Sequence, residues 1–325
     1  MLNGCIEKYD DLQVSKEPIL VIDAFISDVN DSVYRLCGGS ETHRSYVRLS
    51  LSQSLTSTEL DDSMLITDAL VIIKDDIGNI DTLRNPDDPL FNRPFIDSPK
   101  KVFRLQKLYP HAGHSYYLEV YYNNKLYTAS TFMPLLPKVD SLHFIYTSIP
   151  SNNPIEKVRV TSIVPRVFFI DPPGEENFYL FKFYDGVPYS GWKANVLSDK
   201  YLVYTTNKGI DGFFNNNVTT GFIGYTHFLS NQVILFFGAI NKEAYDYLYI
   251  LHGLYRTDGG NFSPTPASVH GNISGGALGF FYAASSFVVP RINLPYPKDG
   301  QSTPEGANLM TLFPDGTLKY TKYGF

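Results

Sequence analysis

Short runs of alternating apolar and polar residues, separated by turn-forming residues at intervals of roughly ten, recur along most of the chain. In the run 47–52, for example, valine and leucine alternate with arginine and serine. Successive side chains of a strand point to opposite faces, so this pattern indicates strands with one buried and one solvated face. Tyrosine and phenylalanine, which suit a pleated and half-buried surface, number 24 and 23. We therefore predict an all-β fold of the sandwich type.

Turn residues join several of these runs into hairpins. The run 69–74 leads into Asp75–Asn79, where Gly78 supplies the positive φ that a tight turn needs. The carboxylates of that turn lack the alternating spacing of a calcium-binding loop, so a hairpin and no metal site is predicted. A second hairpin joins 115–122 to 126–132 through Asn123-Asn124. Further strands are predicted at 19–26, 47–52, 141–148, 157–164, 178–184, 201–205 and 232–237.

One segment of the second half carries its apolar residues at helical spacing instead. Ala244, Tyr247, Leu248 and Leu251 fall on one face, and Asn241 just before them is a good N-cap residue. We predict a single helix over 242–256 whose tyrosine-rich stripe faces the core.

The chain is long enough for two domains. Its 325 residues include 43% hydrophobic residues, and a domain usually takes about 100 to 200 residues. Pro134 and Pro137 stiffen the passage that follows the second hairpin, which places the boundary near Lys138. We predict a polar tether over 1–17, a β-sandwich over 18–137 and a larger β-domain with the helix over 138–325. The proline-rich stretch 85–101 is predicted to be a surface loop.

Charge and composition exclude several classes of protein. The formal net charge is −6 and lysine and arginine do not cluster, so nucleic acid is not an expected partner. Two cysteines, Cys5 and Cys37, are too few for a disulfide framework or a cysteine-built zinc site. No apolar run reaches the 18 or so residues that a spanning helix requires. Any attachment to a membrane is therefore expected to be through a covalent lipid.

Residues with catalytic chemistry are scattered along the sequence. His111 and His114 are three residues apart but precede a strand, without the helix that a zinc site of the H-E-x-x-H type uses. Adjacent acids would point to opposite faces of a strand, as in Asp61-Asp62, Asp87-Asp88 and Glu175-Glu176. The two carboxylates of such a pair therefore cannot lie on either side of one glycosidic bond, as a glycosidase requires. Phosphate-binding loops and a G-x-S-x-G elbow are missing. We therefore expect neither an enzyme nor a cofactor.

The first residues resemble the end of a lipoprotein signal peptide. Leu2 lies three positions before Cys5 and the small Gly4 directly before it, and a thiol at that position is the group that becomes alkylated by diacylglycerol. The apolar core of a signal peptide does not precede this motif, which points to a trimmed sequence or a late start codon. Cys5 is the predicted lipidation site, and 6–17 is a suitable flexible tether.

Several blocks, in the order in which they occur, resemble one family. They are Leu2–Cys5, 20–28, 47–52, 68–78, 112–134, 169–173 followed by Asn177-Phe178-Tyr179, Phe262-Ser263-Pro264, and 271–281. Together they are similar to the Bacteroidota outer-membrane lipoproteins known as domain of unknown function 4249. The resemblance implies an N-terminal immunoglobulin-like β-sandwich, a C-terminal β-domain, anchoring at the outer membrane through Cys5, and association with TonB-dependent transporters. It implies no established reaction and no catalytic residues.

The glycine-rich segment 271–281 is the last candidate site. Glycines let a backbone approach closely, so Phe280, Phe281 and Tyr282 are candidate contacts for a ligand or partner; the alternative is a tight turn that leads into a buried strand. The leading functional hypothesis is a non-catalytic surface lipoprotein that assists nutrient uptake, by substrate capture or by docking to a TonB-dependent transporter. The alternatives are a structural or adhesive module and, third, a hydrolase whose site is assembled from distant residues.

Overall fold

The computed structural model describes residues 18–29, 45–52, 62–85, 101–150, 159–174, 176–185, 200–205, 218–219, 223–224, 232–256, 270–293, 304 and 306–320. The strands within these ranges are β1 (Leu20–Ser27), β2 (Tyr46–Leu51), β3 (Leu70–Asp75), β4 (Ile80–Thr82), β5 (Ser115–Tyr122), β6 (Lys125–Phe132), β7 (Val139–Pro150), β8 (Arg159–Phe169), β9 (Phe178–Asp185), β10 (Lys200–Thr205), β11 (Val218–Thr219), β12 (Ile223–Gly224), β13 (Gln232–Ile240), β14 (Leu278–Asn293), β15 (Asn308–Leu312) and β16 (Leu318–Tyr320). One α-helix, α1, occupies Lys242–Arg256, and one 3-10 turn occupies Asp62–Met64.

The predicted fold class is confirmed, since strands dominate the described residues and one helix accompanies them. The helix has the predicted bounds, and Asn241 is its N-cap: Oδ1 accepts the backbone N–H of Ala244 at 2.9 Å. The predicted loop 85–101 lies outside the described residues except for its two end positions. The immunoglobulin-like arrangement of the first half stays a prediction.

The described strands form three sheets, which build two sandwiches. A six-stranded sheet has the order β10-β9-β13-β14-β1-β2, a second sheet the order β11-β8-β7-β15-β16 with β12 beside β8, and a four-stranded sheet the order β4-β3-β5-β6. The first sandwich packs the four-stranded sheet against β1, β2 and the start of β14. The second packs β7, β8 and β15 against β9, β13 and the end of β14.

Strand β14 belongs to both sandwiches. Its first half, 278–284, pairs in parallel with β1, and its second half, 285–293, pairs antiparallel with β13. Strand β14 thus comes from the predicted second domain, yet it completes the core of the first sandwich. The division at Lys138 stays a prediction, but the two halves of the chain share this strand.

The back of the six-stranded sheet is covered by α1. Ala244 and Leu248 of the helix are buried against Phe25, Phe236 and Phe280 of the sheet. Tyr247 stacks on Phe280 with ring centroids 4.3 Å apart. Because residues 280–284 of β14 are buried on both faces, this stretch is an unbroken apolar run with no alternation.

Candidate functional site

The structure puts the aromatic residues predicted as ligand contacts inside the protein. Phe281 packs into the core of the first sandwich, whereas Phe280 and Tyr282 point the other way, under α1. All three side chains are buried, so no ligand reaches them in this conformation. The prediction of a contact surface at these residues is corrected: the alternative, a tight turn that leads into a buried strand, describes the segment. Cys5, the predicted lipidation site, lies outside the described residues.

The glycines of the same segment allow close backbone approach. Gly279 has φ of +108° and faces the Ile22 carbonyl of β1, while Gly271 faces the Gly279 carbonyl, and a Cβ at either position would overlap that oxygen. The side chain of Asn272 accepts the Phe281 N–H and donates to the Phe281 carbonyl, each at 2.8 Å. These contacts fix the turn that starts β14, which is a structural role.

The histidines and carboxylates of the described residues form small local pairs. His114 Nδ1 lies 2.8 Å from Asp76 Oδ1 at the surface. The backbone of His111 exchanges hydrogen bonds with the Tyr116 hydroxyl. No group of three or more histidine, cysteine, aspartate or glutamate side chains is close enough to hold a metal ion in this part of the chain. No described helix is both long and apolar enough to cross a membrane.

One cluster on the outer face of the β7-β8-β15 sheet resembles a catalytic arrangement. Ser141 and His143 share a face of β7, with Ser141 Oγ 3.0 Å from His143 Nε2. Asn308 of β15 lies on the other side of the imidazole, with its Nδ2 atom 3.2 Å from Nδ1. A nucleophile, a base and a group that orients the base are the parts of a hydroxyl-based catalytic site. The i, i+2 spacing of Ser141 and His143 was visible in the sequence, whereas Asn308 was not.

The hydrogen bonds of this cluster run in the wrong direction for catalysis. Asn308 Nδ2 lies 3.2 Å from Nδ1 and 2.7 Å from Thr311 Oγ1. With the amide in this orientation, Nε2 of His143 is the nitrogen that carries the proton and donates to Ser141 Oγ. A general base needs the opposite tautomer. Ser141 is also only 8% exposed. Burial and the nearby Arg166 lower the pKa of His143, which keeps the imidazole neutral in this network. The cluster is a hydrogen-bonded polar network that ties β15 to β7.

The outer face of the four-stranded sheet is different, because it presents apolar side chains to solvent. Leu70 of β3, Tyr121 of β5 and Leu126 of β6 are direct cross-strand neighbours. Their exposed fractions are 47%, 41% and 44%. We call this outer surface the open face and these three residues the Tyr121 row. Their inward-pointing neighbours Val71 and Val120 are buried in the core of the first sandwich, which fixes the outward direction of the row.

A charged pair beside the row holds the tyrosine in place. Lys74 and Glu119 form an ion pair at 2.5 Å, and the Tyr121 hydroxyl donates to the other carboxylate oxygen of Glu119 at 3.3 Å. Tyr117, four positions before Tyr121 on the same strand, is also exposed and pairs across the sheet with Lys74 and Ser130. The open face therefore combines aromatic rings with a neutral ion pair.

A shallow concavity of about 570 Å³ adjoins the Tyr121 row at the β5–β6 turn. Asn123 and Asn124 take φ of 49° and 59°, the left-handed conformation that a two-residue hairpin turn requires. Its lining combines the row with the polar end of the hairpin: Asp68, Leu70, Tyr121, Tyr122, Asn123, Asn124, Lys125 and Leu126. The polar groups converge on one end of an apolar strip, which is the general form of a small-molecule site. Sequence reasoning missed this site, although the two tyrosines at solvent-facing positions of 115–122 were a signal for it.

Residues 6–288 match the protein family described as Domain of unknown function (DUF4249), over most of the length of the chain. The chain belongs to the DUF4249 family. The predicted resemblance to this family is thereby confirmed. No curated protein and no solved structure matches the chain significantly.

The structure explains two of the blocks on which the resemblance to DUF4249 proteins was based. In the block 169–173, Asp171 is buried and its Oδ1 atom accepts a hydrogen bond from the Tyr179 hydroxyl at 2.6 Å. In the block 271–281, Gly271 and Gly279 permit the close pairing of β14 with β1. Both blocks stabilise the fold, and neither contributes a side chain to the concavity on the open face.

Proposed function

We propose that this DUF4249 protein is a non-catalytic surface lipoprotein that captures a substrate on its open face for uptake across the outer membrane by a TonB-dependent transporter. The observation that carries the proposal is the concavity beside the Tyr121 row. It offers exposed apolar surface and hydrogen-bonding groups on a rigid sheet, which is what a binding site needs. The burial of Ser141 in the Ser141–His143–Asn308 network supports a binding role over hydrolysis.

Anchoring at Cys5 is part of the same proposal. The spacing of Leu2, Gly4 and Cys5 fits lipid attachment, and the polar residues 6–17 form a tether of suitable composition. A tethered binding protein keeps its site near a transporter and raises the local substrate concentration there.

The test compares three forms of the full-length protein, expressed in cells that lack the native copy: wild type, Cys5→Ala and Tyr121→Ala. Outer membranes are solubilised in detergent, the protein is purified, and co-purifying transporters are identified by mass spectrometry. We expect the wild type and Tyr121→Ala to be anchored and to bring down a TonB-dependent transporter, and Cys5→Ala to be released from the membrane.

Growth on limiting nutrient separates capture from docking. We expect Tyr121→Ala cells to grow more slowly than wild type although their transporter complex is intact. Loss of the transporter from the Tyr121→Ala preparation would instead make the open face a docking surface. Absence of any transporter from the wild-type preparation, or membrane retention of Cys5→Ala, would contradict the uptake role or the lipid anchor, respectively.

A further inference from the structure

We infer that the ligand of the open face is a neutral saccharide, an inference that rests on the proposed function and names its substrate class. A sugar ring has one apolar surface of C–H groups and a rim of hydroxyl groups. The concavity has the same two parts, an apolar row and a polar end, on residues that the four-stranded sheet holds at fixed spacing.

The apolar part is of the right kind for a ring. Tyr121 lies between the aliphatic side chains of Leu70 and Leu126 in one cross-strand row. Its hydroxyl is held by Glu119, which is itself paired with Lys74, so the ring loses little conformational freedom when a ligand binds. Aromatic rings favour contact with polarised C–H groups because their faces carry negative charge density.

The polar part suits a ligand that has hydroxyl groups and no negative charge. Asp68 lines the concavity, whereas the ammonium of Lys125, another lining residue, lies over the ring of the buried Tyr127 at 5.2 Å from its centroid. The Lys74–Glu119 pair beside the row adds no net charge. The amides of Asn123 and Asn124 both donate and accept hydrogen bonds, as hydroxyl groups do. The carboxylate of Asp68 would repel an anionic ligand, whereas it can accept hydrogen bonds from hydroxyl groups.

The size of the concavity and the occupied edge of β6 argue against a protein or a peptide as the ligand. The concavity of about 570 Å³ is within the range of about 300 to 1,000 Å³ for small-molecule sites. Even with Tyr117 and Phe132, which are also exposed on this face, the row supplies less than the roughly 800 Å² that each partner buries in a stable protein interface. An extended peptide usually joins a sheet at an edge strand. The β6 edge is occupied, because Ser274 N donates to the Thr128 carbonyl at 2.8 Å and Thr128 N donates to Ser274 Oγ at 3.2 Å.

The test applies the full chain to an array of neutral and charged oligosaccharides and to a tryptic digest of casein, followed by calorimetric titration of the strongest binders. We expect the bound glycans to be neutral. Tyr121→Ala should weaken binding at least tenfold. The matched control is Tyr117→Ala, an exposed tyrosine of the same strand and face, which should change the affinity by less than twofold.

The outcomes separate the ligand class from the function. Binding of charged glycans alone, of no glycan, or equal losses in both variants would overturn the saccharide inference. If casein peptides bind and Tyr121→Ala abolishes that binding, the capture function stands and only the ligand class is wrong. If neither class binds, and Tyr121→Ala cells also grow as well as wild type on limiting nutrient, capture itself is wrong.

Discussion

The back of the six-stranded sheet and the open face of the four-stranded sheet both carry tyrosine, phenylalanine or leucine side chains that point away from a sandwich core. Helix α1 covers the first, where Tyr247 stacks on Phe280 and Leu248 is buried. The second keeps the Tyr121 row more than 40% exposed. The two surfaces thus have similar composition but opposite exposure.

The difference lies in what a side chain contributes to stability. Burial of apolar area stabilises the fold by about 25 cal/mol per Å², so the residues under α1 contribute to folding. An exposed aromatic row contributes much less and leaves apolar surface in contact with water. Large exposed apolar side chains that adjoin each other are typical of a surface that binds something. Three measurements test this contrast.

The largest loss of stability is expected from a substitution in the surface that α1 covers. Phe280→Ala leaves a cavity between β14 and α1 and removes the stacking with Tyr247, so it should lower the free energy of unfolding by about 3 to 5 kcal/mol. Tyr121→Ala on the open face is the matched control, with an expected loss below about 1 kcal/mol. Urea denaturation of the full chain measures both. Equal losses would mean that the open face is as much a part of the stable core as the covered face.

The second largest effect concerns the pairing of β14 with β1, which positions Phe280 under α1. Gly279→Ala introduces a Cβ that overlaps the Ile22 carbonyl at a residue with φ of +108°, and we expect a loss of more than about 2 kcal/mol. Gly276→Ala controls for positive φ alone. Its φ is +83° and its nearest contact would be Lys125 Nζ at 3.8 Å, so a loss of about 1 kcal/mol is expected. Similar losses in the two variants would show that the approach of β14 to β1 is not tight.

The contrast between covered and open faces was only partly visible in the sequence. Alternation and helical spacing are local properties, and they predicted the run 47–52, the hairpin at Asn123-Asn124 and the helix Lys242–Arg256 with its N-cap. Residues 280–284 of β14 have no alternation, because they are buried on both faces, so no periodicity showed that Phe280, Phe281 and Tyr282 are buried.

Pairing between distant segments was not predictable from local patterns. The parallel register of Val21 with Leu278 joins the two ends of the family match, and no periodicity records it. The candidate site has the same origin. Tyr117 and Tyr121 were visible as aromatic residues at solvent-facing positions, but Leu70 joins Tyr121 only through the β3–β5 register. The alternation within a single sequence indicates which side of a strand is exposed to solvent, but not which strands pair with it.

The outer face of the β7-β8-β15 sheet is intermediate between the covered surface under α1 and the open face. It gives the smallest expected effect on stability. It is polar, and hydrogen bonds connect its groups in the Ser141–His143–Asn308 network. Burial, followed by the charge of Arg166, lowers the pKa of His143 from its ordinary value of 6.5. The unfolded chain therefore binds a proton at a higher pH than the folded protein does, and stability falls as the pH drops below about 6.5 towards the folded pKa.

His143→Gln keeps a side chain that donates and accepts hydrogen bonds but removes the titration. We expect its stability to depend less on pH than that of the wild type between about pH 7 and pH 5, by at most about 1.4 kcal/mol per pH unit for one proton. Asp28, whose pKa is raised by burial, acts with the opposite sign and is common to both proteins, so it cancels in the difference. Urea denaturation across this range measures the two slopes. If the unfolding free energies of both proteins have the same slope against pH, the imidazole is solvated and the outer face of this sheet is as open as the Tyr121 row. A smaller slope in the variant leaves the open face as the surface available for binding.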